Sequence, residues 1–112
     1  MTYRLAFRPE ASADIAEAFS WYEARRNGLG GEFEGELDRT LGYITGMPLA
    51  GRPVHRTLRR ALMRRFPFTV YYNVAGDLIE IRAVSAQSAP SSNMASARVR
   101  PNMRLKLAAR VD

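Results

Sequence analysis

The sequence predicts a small α+β domain in which one strand is followed by two helices and then by antiparallel strands, in the order β-α-α-β-β-β. Apolar residues recur with helical spacing between about residues 9 and 46, and with a spacing of two before and after that segment. A length of 112 residues with 46% hydrophobic residues fits a single core. We therefore expect an antiparallel helical hairpin packed on one face of a small antiparallel sheet.

The first strand and the first helix are predicted from the N-terminal residues. Tyr3, Leu5 and Phe7 alternate with polar residues, which is typical of a strand with one buried face. A helix is expected from Pro9, because proline suits the first helical turn, until Asn27-Gly28 provides a stop. Its apolar face comprises Ala11, Ile15, Ala18, Phe19 and Tyr22. This spacing predicts a helix with one apolar face, which packs on the sheet.

A second helix is predicted after a tight connection at Gly30-Gly31, and it ends at Gly46 before a proline. Its apolar stripe comprises Phe33, Leu37, Leu41 and Ile44. So short a link makes the two helices antiparallel. Trp21 and Tyr22 lie in the middle of the first helix, and we expect both in the core or at its edge.

The strands of the second half follow a loop at residues 48–53 that is rich in Gly and Pro. One strand is predicted over residues 57–63. A stronger one has its apolar face at Phe66, Phe68, Val70, Tyr72 and Val74. A turn is predicted at Ala75-Gly76-Asp77, and residues 78–84 are predicted to form the strand that pairs with this one in a hairpin.

The chain after Val84 has a different composition, rich in Ser, Ala, Asn and Pro. It shows no periodic apolar face until Met103, Leu105 and Leu107. We therefore predict a domain over residues 1–84, followed over residues 85–112 by a loop and a basic tail that is mobile or weakly helical.

Composition excludes several classes of function. With no Cys and one His, the chain has no disulfide framework, thiolate zinc site or cysteine nucleophile, and we expect neither a metal nor a cofactor. The N-terminus lacks the pattern of a signal peptide, and no stretch approaches the ~20 apolar residues of a membrane span. The sequence thus predicts a soluble cytoplasmic protein without a membrane partner.

Positive charge is concentrated in the second half of the chain. The net charge is +6, sixteen of the seventeen basic residues are Arg, and residues 48–82 hold seven Arg against two acidic residues. Six of these arginines lie on strands or turns that we expect to be adjacent: Arg56, Arg59, Arg60, Arg64, Arg65 and Arg82. They form either a solvated basic surface or a surface for an anionic partner such as a nucleic acid. Tyr71 faces away from Tyr72 and is a candidate contact, whereas His55 is interpreted as a surface histidine.

Several short motifs resemble the ParE/RelE toxin superfamily, and in particular its ParE-like plasmid-stabilisation branch. The resemblance covers about residues 3–84. The motifs are Asp14-Ile15-Ala16-Glu17-Ala18, Trp21-Tyr22-Glu23, Gly28-Leu29-Gly30 with Phe33 and Leu37, and Arg65-Phe66-Pro67-Phe68 leading to Tyr71-Tyr72. The resemblance implies the toxin of a type II toxin–antitoxin pair, whose partner is a small, partly disordered antitoxin. It makes the six arginines and Tyr71 candidates for binding the antitoxin or the target: Arg56, Arg59, Arg60, Arg64, Arg65, Tyr71 and Arg82.

The resemblance leaves three functions open. A ParE-like toxin would inhibit growth by binding a macromolecular target such as DNA gyrase, without chemistry of its own. A RelE-like toxin would cleave mRNA on the ribosome, with Arg64, Arg65 and Arg82 holding phosphates and Tyr71 or His55 moving protons. An inactive homologue would only bind the antitoxin.

The segment after the last predicted strand departs from the family pattern. Relatives of the ParE-like branch usually carry His, Arg and Asp-Pro there, and this chain reads Ala83-Val84-Ser85-Ala86-Gln87-Ser88-Ala89-Pro90. No Tyr follows Tyr72, although RelE-like ribonucleases often use one near the C-terminus. These departures favour the hypothesis of a ParE-like toxin, and they also make the inactive homologue a reasonable alternative.

Overall fold

The computed structural model of the protein describes residues 2–87, and it confirms the predicted α+β fold. The 3-10 turn Pro48–Ala50 joins the helical half to the strands. The elements are β1 (Arg4–Phe7), α1 (Pro9–Arg25), α2 (Leu29–Gly46), β2 (Arg52–His55), β3 (Leu58–Leu62), β4 (Phe68–Ala75) and β5 (Leu78–Ala86).

The sheet is mixed, whereas the sequence predicted an antiparallel one. Its strand order is β1-β5-β4-β3-β2, and β1 pairs with β5 in parallel while the other neighbours are antiparallel. Two helices separate β1 from the other strands, so no tight turn forces β1 to run against its neighbour. The sheet also has a strand that was predicted as loop, β2, which begins at Arg52 and contains Pro53. Proline is tolerated there because β2 is an edge strand.

The last strand extends two residues beyond the predicted end at Val84. Ser85 and Ala86 pair with Thr69 and Phe68 on β4. The Gln87 N–H then donates to the Pro67 carbonyl at 2.7 Å. The rest of the predicted tail, residues 88–112, lies outside the described residues.

The turn between the two helices lies earlier than the predicted Gly30-Gly31 connection. Gly28 has a φ of 91° and precedes the first residue of α2, so both predicted link glycines are helical. The Glu23 carboxylate accepts hydrogen bonds from the N–H groups of Gly28 and Gly30, each at 2.9 Å. A carboxylate from α1 thus satisfies donors at the positive end of α2, which lets α2 begin before its apolar stripe.

The two glycines of that predicted link differ in their surroundings, because Gly30 lies against Phe19 of α1 and Gly31 has open space around it. A Cβ on Gly30 would lie 2.9 Å from the Phe19 carbonyl oxygen, whereas one on Gly31 would have nothing within 4 Å. We expect Gly30→Ala to lower the free energy of unfolding by about 1–3 kcal/mol, because the helices must separate. Gly31→Ala serves as the matched control and should raise it by about 0.5–1 kcal/mol. Urea unfolding of both variants is the measurement, and equal effects would contradict the close approach.

The core lies between the two helices and one face of the sheet. Phe33 of α2 is fully buried among Tyr22, Phe66 and Phe68, with ring centroids 5.3 to 5.6 Å from its own. Burial raises the pKa of Tyr22 to about 12. Trp21 lies at the edge of this cluster: its ring packs edge-on against Tyr22 with 5.1 Å between centroids, while it is 46% exposed and the Arg25 guanidinium lies 3.6 Å from its ring centroid. Tyr22 thus meets the expectation of a core position, and Trp21 that of a position at the edge of the core.

Candidate functional site

The sheet has one face covered by helices and one that is open. Tyr72 is buried in the core beneath the helices, so its neighbours Tyr71 and Asn73 face the other side, which we call the open face. A shallow depression of about 570 Å³ lies on this face. It is lined by His55, Arg56, Thr57, Leu58, Tyr71, Asn73, Arg82, Ala83 and Ser85. The depression is therefore formed by the turn between β2 and β3 and by the middle of β4 and β5.

Arg82 is held in this depression by its neighbours. Tyr72 pairs with Ile81 and Tyr71 with Ala83, so Arg82 is the extra residue of a β-bulge. Its Nη1 donates to Asn73 Oδ1 at 2.8 Å, and Asn73 Nδ2 donates to Thr57 Oγ1 at 2.8 Å. These two hydrogen bonds link β5 through β4 to the turn between β2 and β3.

The turn between β2 and β3 places two more polar groups in the depression. Arg56 has a φ of 53°. This backbone conformation favours glycine, and adopting it costs other residues of order 1 kcal/mol. Its Nε donates to His55 Nε2 at 3.2 Å. A charged residue thus occupies a turn position where glycine would be easier, and it points a guanidinium toward the open face.

Arg59, one of the predicted site residues, faces the opposite way. It pairs with the buried Tyr72, and its Nη1 donates to the carbonyl oxygens of Leu49 at 3.0 Å and Gly51 at 2.8 Å. These bonds fix the segment between α2 and β2. The structure therefore gives Arg59 a supporting position behind the sheet and does not bring it to the depression.

Arg64 and Arg65 also lie away from the depression, in the loop between β3 and β4. This loop is at the far end of the hairpin from Thr57. The Arg65 Nη2 donates to Glu32 Oε1 at 2.9 Å, and the Arg26 Nη2 donates to the other oxygen of that carboxylate, Oε2, at 3.2 Å. The two guanidinium groups lower the pKa of Glu32, with Arg65 making the larger contribution.

Of the residues named from the sequence, the structure thus brings His55, Arg56, Tyr71 and Arg82 together around the depression, and Arg60 of β3 pairs with Tyr71 of β4. Asn73 and Thr57 were not predicted, although Asn73 follows Tyr71 at a spacing of two and could have been found from that spacing. Arg52 was also missed, because its segment was interpreted as loop.

The described part of the chain offers no metal site and no membrane helix. Between residues 2 and 87, no three His, Cys, Asp or Glu side chains are grouped so that they could hold a metal ion. Neither helix in this range is both long and apolar enough to span a membrane.

Comparison with known proteins finds a solved structure with a similar fold. No protein-family model and no curated protein matches the chain. A solved structure does match, namely a chain of the chromosomal ParDE TA system from P. aeruginosa, with a TM-score of 0.67. The fold is ParE-like. The match covers 78% of this chain and 98% of that chain at 18% sequence identity, so the ParE-like likeness lies in the arrangement of the backbone.

Proposed function

We propose that this protein is the toxin of a type II toxin–antitoxin module and that it inhibits growth by binding a macromolecular target such as DNA gyrase in the cytoplasm. The observation that supports this most is the ParE-like fold, shared with a chain of a ParDE TA system. The sequence motifs that resemble the ParE-like branch support it independently. The cognate antitoxin is the first partner that this proposal requires.

The charge of the open face is compatible with an anionic partner. Arg52, Arg56 and Arg60 form no ion pair within residues 2–87. The helical half is acidic by comparison, since residues 1–47 hold eight acidic residues and five Arg. A partner with basic and acidic regions of its own would be oriented by this separation.

Controlled expression of the full chain tests this function. We expect growth arrest on induction and relief of that arrest when a small reading frame from the neighbouring gene is expressed with it. DNA breaks that require gyrase would identify the target. An immunoblot controls for expression, and unchanged growth and supercoiling at a high level of the protein would contradict an active gyrase toxin.

A ribosome-dependent endoribonuclease is the second candidate, and the depression favours it. Arg82 could neutralise a phosphate there, while Tyr71 and His55 are the groups able to move protons. Arg64 and Arg65 lie at the other end of the hairpin and would not contribute to the same site. Primer extension on translated mRNA decides between the candidates, because growth arrest without new 5′ ends would reject cleavage.

An inactive homologue remains the third candidate. It would bind the antitoxin without arresting growth, so co-purification from cells that grow normally would support it. A salt series on the complex tests the electrostatic contribution, because exposed charge pairs weaken as salt is added.

A further inference from the structure

The two edges of the sheet differ in how they are protected against the addition of another strand. β2 forms one edge, and it carries Pro53, a register shift between Pro53 and His55, and the charged Arg52. Proline, irregular pairing and charge are the usual protection of an edge strand. β1 forms the other edge, and its residues Arg4–Phe7 pair with β5 in regular register and include no proline. The β1 edge is therefore the less protected of the two.

The backbone of β1 has hydrogen-bonding groups that point away from the sheet. The Arg4 N–H donates to the Asp77 carbonyl oxygen at 2.8 Å, toward β5. Backbone groups point to alternate sides along a strand, so those of Ala6 also face β5, whereas those of Leu5 and Phe7 face the free edge. Within residues 2–87, β5 is the only strand that pairs with β1. The outward groups are thus available to a strand from another chain.

The side chains at these outward-facing positions are apolar. Leu5 and Phe7 pair with Ile79 and Ile81, which are both fully buried under the helices. Leu5 is nevertheless 37% exposed and Phe7 41%, because no strand of the described sheet lies beyond them. The apolar face of the sheet thus continues to the β1 edge and is incompletely covered there.

A second copy of the chain fits this edge through a two-fold axis. Antiparallel pairing of the two β1 strands, centred on Leu5, sets Leu5 opposite Leu5 and Phe7 opposite Tyr3 of the other copy. Aromatic pairs across neighbouring strands stabilise a sheet, and Tyr3 already packs against the core. The alternative of centring the pairing on Ala6 would set Arg4 opposite Arg8, and like charges directly opposite are destabilising. The side chains therefore favour the register centred on Leu5.

Opposite charges meet across the two copies in this register. Ala6 pairs with Glu80 of β5, so a row on the open face reads Glu80, Ala6 and then Arg4 of the other copy. The outer two Cβ atoms of such a row are about 10 Å apart, a gap that two long side chains span over a small alanine. Within one copy, Arg4 lies 3.3 Å from Asp77 and Glu80 lies 3.8 Å from Arg82, in exposed ion pairs that contribute little. The two-fold axis generates the new ion pair twice.

We propose that β1 is a homodimer interface, in which a second copy of this chain continues the sheet by antiparallel pairing of the two β1 strands centred on Leu5. The five strands of each copy then form one ten-stranded sheet. Because the two-fold axis is perpendicular to that sheet, the helices of both copies lie on one side and both depressions lie on the other. The inference goes beyond the proposed function and does not rest on it, since a toxin and an inactive homologue would form the same dimer.

The oligomeric state of the full chain tests this proposal, measured by sedimentation velocity at increasing protein concentration. We expect an equilibrium between monomer and dimer. Leu5→Lys sets two ammonium groups opposite each other at the two-fold axis, and it should raise the dimer Kd about ten-fold or more. Val54→Lys is the matched control, because it adds the same charge at a position of the β2 edge that is 47% exposed. It should leave the Kd unchanged.

Two charge reversals test the register. Arg4→Glu brings two carboxylates together across each Ala6, and Glu80→Arg brings two guanidinium groups together there. Each variant alone should therefore dimerise about ten-fold more weakly or worse. An equal mixture of the two regains both ion pairs, so it should form a heterodimer about as tightly as the unsubstituted protein dimerises. Native mass spectrometry distinguishes this heterodimer from the two homodimers by its mass.

The proposal is overturned if the full chain stays monomeric up to millimolar concentration. A dimer that Val54→Lys weakens as much as Leu5→Lys does would also overturn it, because the interface would then not be specific to β1. A mixture of the charge reversals that dimerises no better than its components would reject the pairing centred on Leu5. Circular dichroism and melting curves verify that every variant is folded. Growth arrest enters none of these measurements, so the failure of the proposed function would leave their outcome unchanged.

Discussion

Phe33→Ala should lower the free energy of unfolding by about 3–5 kcal/mol, the usual cost of removing a fully buried phenyl ring. The ring has no exposed surface, and it contacts the aromatic side chains of Tyr22 in α1 and of Phe68 at the start of β4. Its removal leaves a cavity where the helical hairpin meets the sheet. Because domains of this size are stable by only about 5–15 kcal/mol, we expect the melting temperature to fall by about 12 °C or more.

Tyr43→Ala is the matched control for this substitution. Tyr43 lies on the same helix and is 53% exposed, so its truncation should change the free energy of unfolding by no more than about 0.5 kcal/mol. Thermal and urea unfolding of both variants provide the comparison. A loss below about 1 kcal/mol for Phe33→Ala would show that the aromatic cluster is not the centre of the core.

Gly51→Ala is expected to have the second large effect, because the glycine lies against a buried tyrosine. A Cβ at Gly51 would overlap the Tyr72 hydroxyl oxygen and would lie 2.8 Å from its Cζ and 3.0 Å from the Arg60 carbonyl oxygen. That hydroxyl donates to the Pro48 carbonyl at 2.7 Å, and Tyr72 is 1% exposed. Displacing the ring costs packing and leaves a buried hydrogen bond unmade, so we expect a loss of about 2–5 kcal/mol.

A double-mutant cycle isolates this contact. Tyr72→Phe removes the overlapping oxygen and the hydrogen bond to Pro48, and alone it should cost about 1–2 kcal/mol. In that background, Gly51→Ala should cost less than it does in the unsubstituted protein. Gly42→Ala serves as a control, because a Cβ there has nothing within 4 Å. Additive costs for Gly51 and Tyr72 would contradict the close approach.

These two contacts and the open face lie on opposite sides of one sheet. Tyr72 holds the segment after α2 against the core, and its neighbour Tyr71 lines the depression. Burial raises the pKa of Tyr72, and a hydrogen bond with the Gly51 backbone and the charge of Arg59 lower it by less. A stability variant at Gly51 is therefore a poor probe of binding, whereas Arg52, Arg60 and Tyr71 change the open face directly.

Local sequence signals predicted most of the elements. Apolar spacing indicated both helices, and β3, β4 and β5 were predicted to within two residues at each end. The strong alternation through β4 also predicted that Tyr71 and Tyr72 lie on different faces of the sheet. These signals are local, since each arises from which side of one helix or strand is buried.

The sequence by itself thus determined both helices, β3, β4 and β5 in their order, the buried faces of the helices and of β4, and the excess of arginine in the second half. It missed β2, and it predicted a buried face for β1 on which Leu5 and Phe7 are in fact exposed. Only the tertiary structure decided that β1 runs parallel to β5, that Arg52 lies in a strand beside Arg60, and that Arg65 pairs with Glu32 at a distance from Arg82. Spacing along one strand reports which residues share a face. It does not report which strand lies alongside or in what register, because pairing is settled by contacts between residues distant in the chain.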